Sequence, residues 1–223
     1  MILGIFGPGS AGREILELAN QINEKDNKWD RIVFLSDSKE SDSIVCGCEV
    51  HNYEKFVRSY KEDIEIVIAL GEIVDREKII SRLKKDSIKF ATLVHPNVHI
   101  PQNSIISAGC IIQVGCFISC DVKIHDCVYL QPNCIISHDV VIGEGSFLAA
   151  QVNISGGVVV GDYCFIGINS AIRENVIIGN HCVIGMGSLV CEDFEENIVA
   201  FGQPAKFQKI NEKKQILNHM KKK

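Results

Sequence analysis

The chain has 223 residues, 46% of them hydrophobic and 23% charged, with a formal charge of −5 at pH 7. That balance describes an ordinary globular protein of one or two domains, and Lys and Arg are scattered except at Lys221–Lys223, which leaves no footprint for nucleic acid. No apolar run approaches the roughly 18 residues that span a bilayer, and the apolar opening Met1–Phe6 lacks the basic lead and long apolar core of a signal peptide, so a cytoplasmic location with no membrane partner is expected.

In chain order, Ile2–Phe6 reads as a short buried strand. Gly7-Pro8-Gly9-Ser10-Ala11-Gly12 follows it, and Arg13–Ala19 begins a helical pattern. Strand, glycine-rich turn and helix start make a place where backbone N–H groups can hold an anion; the same spacing also serves as a tight turn with no ligand. The next strand, Arg31–Leu35, ends in Ser36-Asp37-Ser38. An acidic residue there can accept from a ribose or a base, or cap a turn. Ile64–Leu70, closed by Gly71, is another buried strand, Glu72–Lys84 a helix, and Ile88–Leu93 a last strand. This alternation makes residues 1–92 a small Rossmann-like parallel α/β domain. It is too short for a complete dinucleotide fold and suits a single nucleotide.

From Val94 the pattern changes. Val94, Ile100, Ile106, Ile112, Ile118 and Ile124 open a series of seventeen consecutive sixth positions, ending at Val190, all of them Val, Ile or Leu. The residue two places before each anchor is small or β-branched, as at Ser104, Cys110, Cys116 and Val122. A period of six fits neither the helix nor the alternating strand. It fits a solenoid in which each hexapeptide is one flat strand and a corner, with three to a coil of about 18 residues. Residues 93–206 form this solenoid, and a polar tail, 207–223, is expected to be a short helix. Cys110, Cys116, Cys134, Cys164 and Cys182 occupy the small inward slot, where Cys acts as a compact hydrophobe. Cys46 and Cys48 lack the second pair of a zinc site. Reduced, structural cysteines are expected throughout.

Of the seven histidines, His138 is set apart by its neighbour Asp139. One coil further on stands Gly156, so the two positions stack about one strand spacing, ~4.8 Å, apart. A glycine leaves its N–H open to an approaching ligand. A base and an oxyanion donor side by side are what acyl transfer from a thioester requires. Asp139 could fix the tautomer of His138 and raise its basicity. A surface histidine at a corner is the plain alternative.

The repeat resembles that of the left-handed parallel β-helix, and the whole chain resembles the bacterial nucleotide-sugar acetyltransferase and sialic acid O-acetyltransferase family. The matching pieces are Gly7–Gly12, Phe34–Asp37, Ile68–Gly71, Ser137-His138-Asp139, Ser155-Gly156, Cys164–Ser170 and Gly202–Lys206. The resemblance implies an acetyl-CoA-dependent N-acetyltransferase acting on the amine of a nucleotide-linked amino sugar, a 4-amino-4,6-dideoxy sugar carried on dTDP, UDP or GDP and used in surface polysaccharide synthesis. It implies His138 as general base, Asp139 as its support and the Gly156 N–H on the thioester carbonyl. Ile168 and Met186 would line the pantetheine groove, Phe147 occupies a cofactor-contact position, and Lys206 would meet the cofactor's phosphates. Gly9, Ser10, Ala11, Asp37 and Gly71 would hold the sugar nucleotide. Sites would lie between the subunits of a homotrimer, with no metal. Three positions depart from the pattern: Ala11 and Phe147 stand where members often carry His, and Glu72 where they often carry Asn. These changes weigh toward dTDP or GDP as the nucleotide.

Three rivals share parts of this evidence. O-acetylation of sialic acid or a related sugar would need no nucleotide. A metal enzyme of the carbonic anhydrase type would need three converging histidines, which the spacing of His125, His138 and His181 opposes. A structural trimer or nucleotide-binding regulator would leave the His138–Gly156 stack without a purpose.

Overall fold

The computed structural model describes residues 1–37 and 43–216. The first unit is built from β1 (Ile2–Phe6), α1 (Ser10–Asp26), β2 (Arg31–Ser36), β3 (Ile44–Val45), β4 (Cys48–Asn52), α2 (Tyr53–Tyr60), β5 (Ile64–Ile68), α3 (Ile73–Lys85) and β6 (Lys89–Phe90). Its sheet runs β3-β4-β2-β1-β5-β6, parallel except for the β3–β4 hairpin. The strands are apolar on both faces because helices cover both. Leu3 and Ile5 face α1, while Phe6 and Ile66 pack with α2 and α3. α1 buries Ile15, Leu18, Ala19 and Ile22 at helical spacing. Gly12 lets the helix start lie on the strand, since a Cβ there would fall on the Gly7 carbonyl oxygen.

Two elements were not anticipated. The hairpin and α2 come from a polar stretch whose helix is capped by the Asn52 side chain, which accepts from the Lys55 N–H at 3.2 Å. The expected last strand, Ile88–Leu93, is divided: Lys89–Phe90 closes the α/β sheet, whereas Leu93–Val94 opens the solenoid.

The solenoid is a three-sided prism. Two-residue strands recur every six residues and stack in register with partners 18 residues away, such as Ile135 with Asn153 and Ile136 with Ile154. The second residue of each strand is the aliphatic anchor; from Ile112 to Val190 the anchors form one continuous buried column with the small-slot residues. Buried Ser146 stays satisfied by donating to the Gly161 carbonyl (2.8 Å) and accepting from the Cys164 N–H (2.9 Å). Every sixth residue from Gly109 to Gly187 has positive φ, at Asn133, Asp139, Asn169 and Asn175 among others. These are the corners, and Gly, Asn and Asp bear that conformation at least cost.

The three faces differ. One carries outward Leu93, Ile111, Tyr129, Phe147 and Phe165 in steps of 18, and this face is covered by the α/β unit. The buried Arg76 of α3 joins the two bodies. Its guanidinium donates to the Ile68 and Leu70 carbonyls (both 3.2 Å), to Gly145 (3.3 Å) and to Cys127. The other two faces are uncovered and meet at the corner that holds His138.

The tail corrects an expectation. Ala205–Ile210 is a strand, antiparallel to Ile198–Gly202, which closes the end of the prism; a helix from 207 would leave that sheet edge unpaired. Residues 217–223, where the rest of the expected helix falls, lie outside the described residues.

Candidate active site

At the His138 corner, Asp139 takes the left-handed conformation, φ 59°. This turns its carboxylate back toward the preceding ring, and His138 Nδ1 lies 2.8 Å from Asp139 Oδ2. With Nδ1 donating to the carboxylate, Nε2 is left as the basic nitrogen. The imidazole is 63% exposed and lies over Gly156. A Cβ built on Gly156 would come 2.5 Å from Cε1 and 2.7 Å from Nε2, so only glycine admits the ring. The backbone ties the corner to its neighbours: the Gly157 N–H donates to the His138 carbonyl (3.0 Å) and the Asp139 N–H to Cys120 (3.2 Å). The Gly156 N–H has no backbone partner among the described residues.

Ile168 and Met186 sit on a different corner, between the covered face and one uncovered face. They stack directly, with the Gly187 N–H donating to the Ile168 carbonyl at 2.8 Å, and are 45% and 67% exposed. A single chain therefore does not bring them to His138. Lys206 is at the same end of the prism, its Nζ 2.9 Å from Glu192. Phe147 is a correction. It is buried against the α/β unit, 4.8 Å from the Tyr129 ring and 5.5 Å from that of Phe165. It is packing, out of a cofactor's reach.

In the α/β unit, β1 stands between β2 and β5, so the chain reverses direction across the sheet there. Ligands in such sheets bind at the carboxyl ends of the strands at that reversal. The Gly7 N–H bonds to the Leu35 carbonyl and the Ala69 N–H to Phe6, each at 2.9 Å, so the three strand ends converge. Gly9, Ser10 and Ala11 at the start of α1 and the exposed Gly71 line this end. Asp37 is engaged by Arg82, whose Nη1 is 2.7 Å from Oδ1. Sequence reading named Ser10 but missed the rest of the outer stripe of α1. Arg13, Glu14, Glu17 and Gln21 join Ser10 in facing the prism across a cavity of about 570 Å³. The helical spacing of these residues was the available signal.

Residues 3–83 match the PglD N-terminal domain, and residues 121–156 and 157–192 match the bacterial transferase hexapeptide repeat. The chain belongs to the hexapeptide-repeat transferases that carry this α/β domain. Among curated relatives of such transferases, GDP-perosamine N-acetyltransferase of Escherichia coli O157:H7 is 28% identical over 125 residues. That match covers 55% of this chain and 56% of the relative, so it spans just over half the relative's length. The acetyltransferase domain of PglB from Neisseria gonorrhoeae FA1090 superposes with a TM-score of 0.85 at 22% identity, over 93% of this chain and 99% of that one. The same domain is also known in complex with acetyl coenzyme A. PerB from Caulobacter crescentus, in complex with CoA and GDP-perosamine, superposes at 0.82 with 19% identity, over 94% and 98%. These likenesses establish the fold: an α/β unit followed by a left-handed β-helix. Among the described residues, no helix is long and apolar enough to cross a membrane, and no three His, Cys, Asp or Glu side chains are grouped to hold a metal ion.

Proposed function

We propose that this protein transfers an acetyl group from acetyl-CoA to the amine of a nucleotide-linked amino sugar, with His138 as general base. The observation that carries the reading is the exposed imidazole over Gly156 with Nδ1 held by Asp139. The amine nitrogen attacks the thioester carbonyl carbon while Nε2 takes its proton. The Gly156 N–H stabilises the oxyanion, a contribution of about 3 kcal/mol for one such donor. The tetrahedral species collapses, the C–S bond breaks, and the imidazolium returns the proton to the CoA thiolate. Every group in this sequence is a side chain or peptide N–H of the corner, and no acyl-enzyme is involved.

The rest of the chain supplies binding. The N–H groups of Gly9, Ser10 and Ala11 receive the diphosphate at the positive end of α1, with Asp37 and Gly71 beside the nucleoside. Ile168 and Met186 line the pantetheine arm, and Lys206 exchanges Glu192 for a cofactor phosphate. Since His138 and Ile168 occupy different corners, the complete site forms between chains. The uncovered faces expose Phe117, Ile135 and Leu189 on one side and Ile105, Val159 and Ile177 on the other. Apolar patches of this kind mark interfaces, and a homotrimer closed by these faces gives three such sites. The relative named for GDP-perosamine supports GDP as the nucleotide, and a 4-amino-4,6-dideoxy sugar acetylated in the cytoplasm for a surface polysaccharide completes the reading.

The test is thiol release from acetyl-CoA with GDP-, dTDP- and UDP-linked 4-amino-4,6-dideoxyhexoses and free sialic acid as acceptors. One nucleotide amino sugar is turned over by the wild type, and His138→Ala lowers kcat by about 10²-fold or more with its melting temperature unchanged. Near-wild-type kcat in a folded His138→Ala protein overturns the base; preference for sialic acid overturns the amine acceptor.

A further inference from the structure

The groove between α2 and α3, on the side of the sheet away from α1, is a cavity that the proposed reaction does not use. Its volume, about 520 Å³, is in the range of small-molecule sites. One wall is Glu54, Val57 and Arg58 of α2 with Lys61 at its end; the other is Arg82 and Lys85 of α3 with Asp86 at its end. Spacings of three and four residues put each row along one helix face. The buried Tyr53 forms the floor.

Four cations and two carboxylates line this groove, in a chain whose net charge is −5. Both carboxylates are already engaged. Asp86 Oδ2 accepts from the Tyr53 hydroxyl at 2.7 Å, and Glu54 Oε1 lies 3.9 Å from Arg82 Nη2. Arg58, Lys61 and Lys85 have no side-chain partner among the described residues. Basic side chains in a last turn suit the negative end of a helix. That accounts for either row alone, but not for two rows meeting across one cavity. Like charges gathered there repel, and an anion between them removes the repulsion. Arg82 also links the groove to the strand ends. Its guanidinium lies 4.0 Å above the Tyr53 ring, and its Nη1 is 2.7 Å from Asp37 Oδ1.

We propose that this groove is an effector site for a pyrophosphoryl anion, carried by inorganic pyrophosphate or by a nucleoside triphosphate, and that Arg82 couples it to the nucleotide end of the sheet. Arg58, Lys61 and Lys85 hold the phosphoryl oxygens, the acceptors that guanidinium and ammonium groups match. The same oxygens compete with Asp37 for the Arg82 guanidinium. Asp37, released, is free to accept from the ribose, so the effector tightens the sugar nucleotide. The coupling rests on the placement of Asp37 beside the nucleoside proposed above; the anion site does not.

Calorimetry with the full chain tests the site. Inorganic pyrophosphate binds the wild type with a Kd below about 1 mM, and Lys61→Gln/Lys85→Gln weakens it by about tenfold or more, as two lost charge-assisted hydrogen bonds require. Undiminished binding in the double variant overturns the site. Adenosine triphosphate run beside pyrophosphate identifies the source: tighter binding supports a nucleotide effector, equal binding an inorganic one. Kinetics tests the coupling. Saturating pyrophosphate lowers KM for the sugar nucleotide about fivefold relative to sodium chloride at matched ionic strength. It leaves KM for acetyl-CoA within about twofold, and the double variant, with wild-type KM in the absence of pyrophosphate, shows no response. A KM that is unchanged or that rises, as competition at the α1 start would make it, overturns the coupling. If the wild type turns over no acceptor, the reaction falls while the calorimetry still decides the site.

Discussion

Replacing Gly156 by alanine separates catalysis from stability at this corner. The added Cβ would lie 2.5 Å from His138 Cε1, 2.7 Å from Nε2 and 3.1 Å from Nδ1. Ordinary contact begins near 3.4 Å, so the ring must retreat by roughly 1 Å. The backbone need not move, because Gly156 is not in the left-handed region and the ring is the free end of an exposed side chain. The melting temperature should therefore change little, as for other surface substitutions within about 0.5 kcal/mol. The ring cannot retreat while keeping both its 2.8 Å bond to Asp139 and its place over the peptide N–H. A displacement of about 1 Å from productive geometry costs on the order of 10²-fold in rate. The expected result is a kcat about 10²-fold below wild type in the thiol-release assay, with an unchanged thermal melt by circular dichroism. A kcat within about threefold of wild type would refute the claim that the ring must lie over Gly156 to act.

Asp139→Asn keeps a residue that tolerates positive φ but removes the carboxylate from Nδ1; kcat should fall about tenfold or more with no loss of melting temperature, whereas Asp139→Ala should lose both. Arg76→Ala strips four backbone carbonyls of a buried donor and should lower stability by about 3 kcal/mol or more, read as a lower urea midpoint; Arg76→Lys should not restore it, since an ammonium has three donors against five. Glu65 is buried, which by itself would raise its pKa, but hydrogen bonds from Lys28 (2.9 Å) and Trp29 (2.7 Å) and the charge of Lys89 hold it below the usual carboxylate value. Its stabilising contribution is thus fully present above about pH 4.3, the unfolded value, and is lost as pH falls through the lower folded value. Glu65→Gln should lower the melting temperature at pH 7, by about 1–3 kcal/mol in free energy, and the gap should narrow as pH falls below about 4.3; a gap that does not narrow with falling pH would show that the charge is not what matters.

The prism was legible because every sixth residue answers to one requirement, burial beside a corner, and no insertion shifts the count between Val94 and Val190. The same regularity made the His138–Gly156 stack legible from a spacing of 18. The corners themselves carried a second signal that the anchors overshadow: Asn133, Asp139, Asn169 and Asn175 mark the left-handed positions. The β3–β4 hairpin and α2 were missed because their signals are short: Cys48 and Val50 alternate with Glu49 and His51 for only four residues, and Tyr53, Phe56, Val57 and Tyr60 keep helical spacing for only two turns, whose start is fixed locally by the Asn52 cap.

Which corner faces a neighbour is a tertiary question, decided by which face the α/β unit covers. That too is written in steps of 18: Leu93, Ile111, Tyr129, Phe147, Phe165 and Val183 all point outward from one face. The equivalent ladders on the other faces include Lys123 and Asn153. A ladder of large apolar side chains on the outside of a solenoid requires a cover, and the α/β unit is the cover within the same chain. Phe147 thus belongs to the seat of that unit, and its burial there keeps it out of a cofactor's reach. The same cover puts His138 on the corner farthest from it, exposed to whatever packs against the two open faces. The corner proposed as catalytic is thus placed by residues that never touch it.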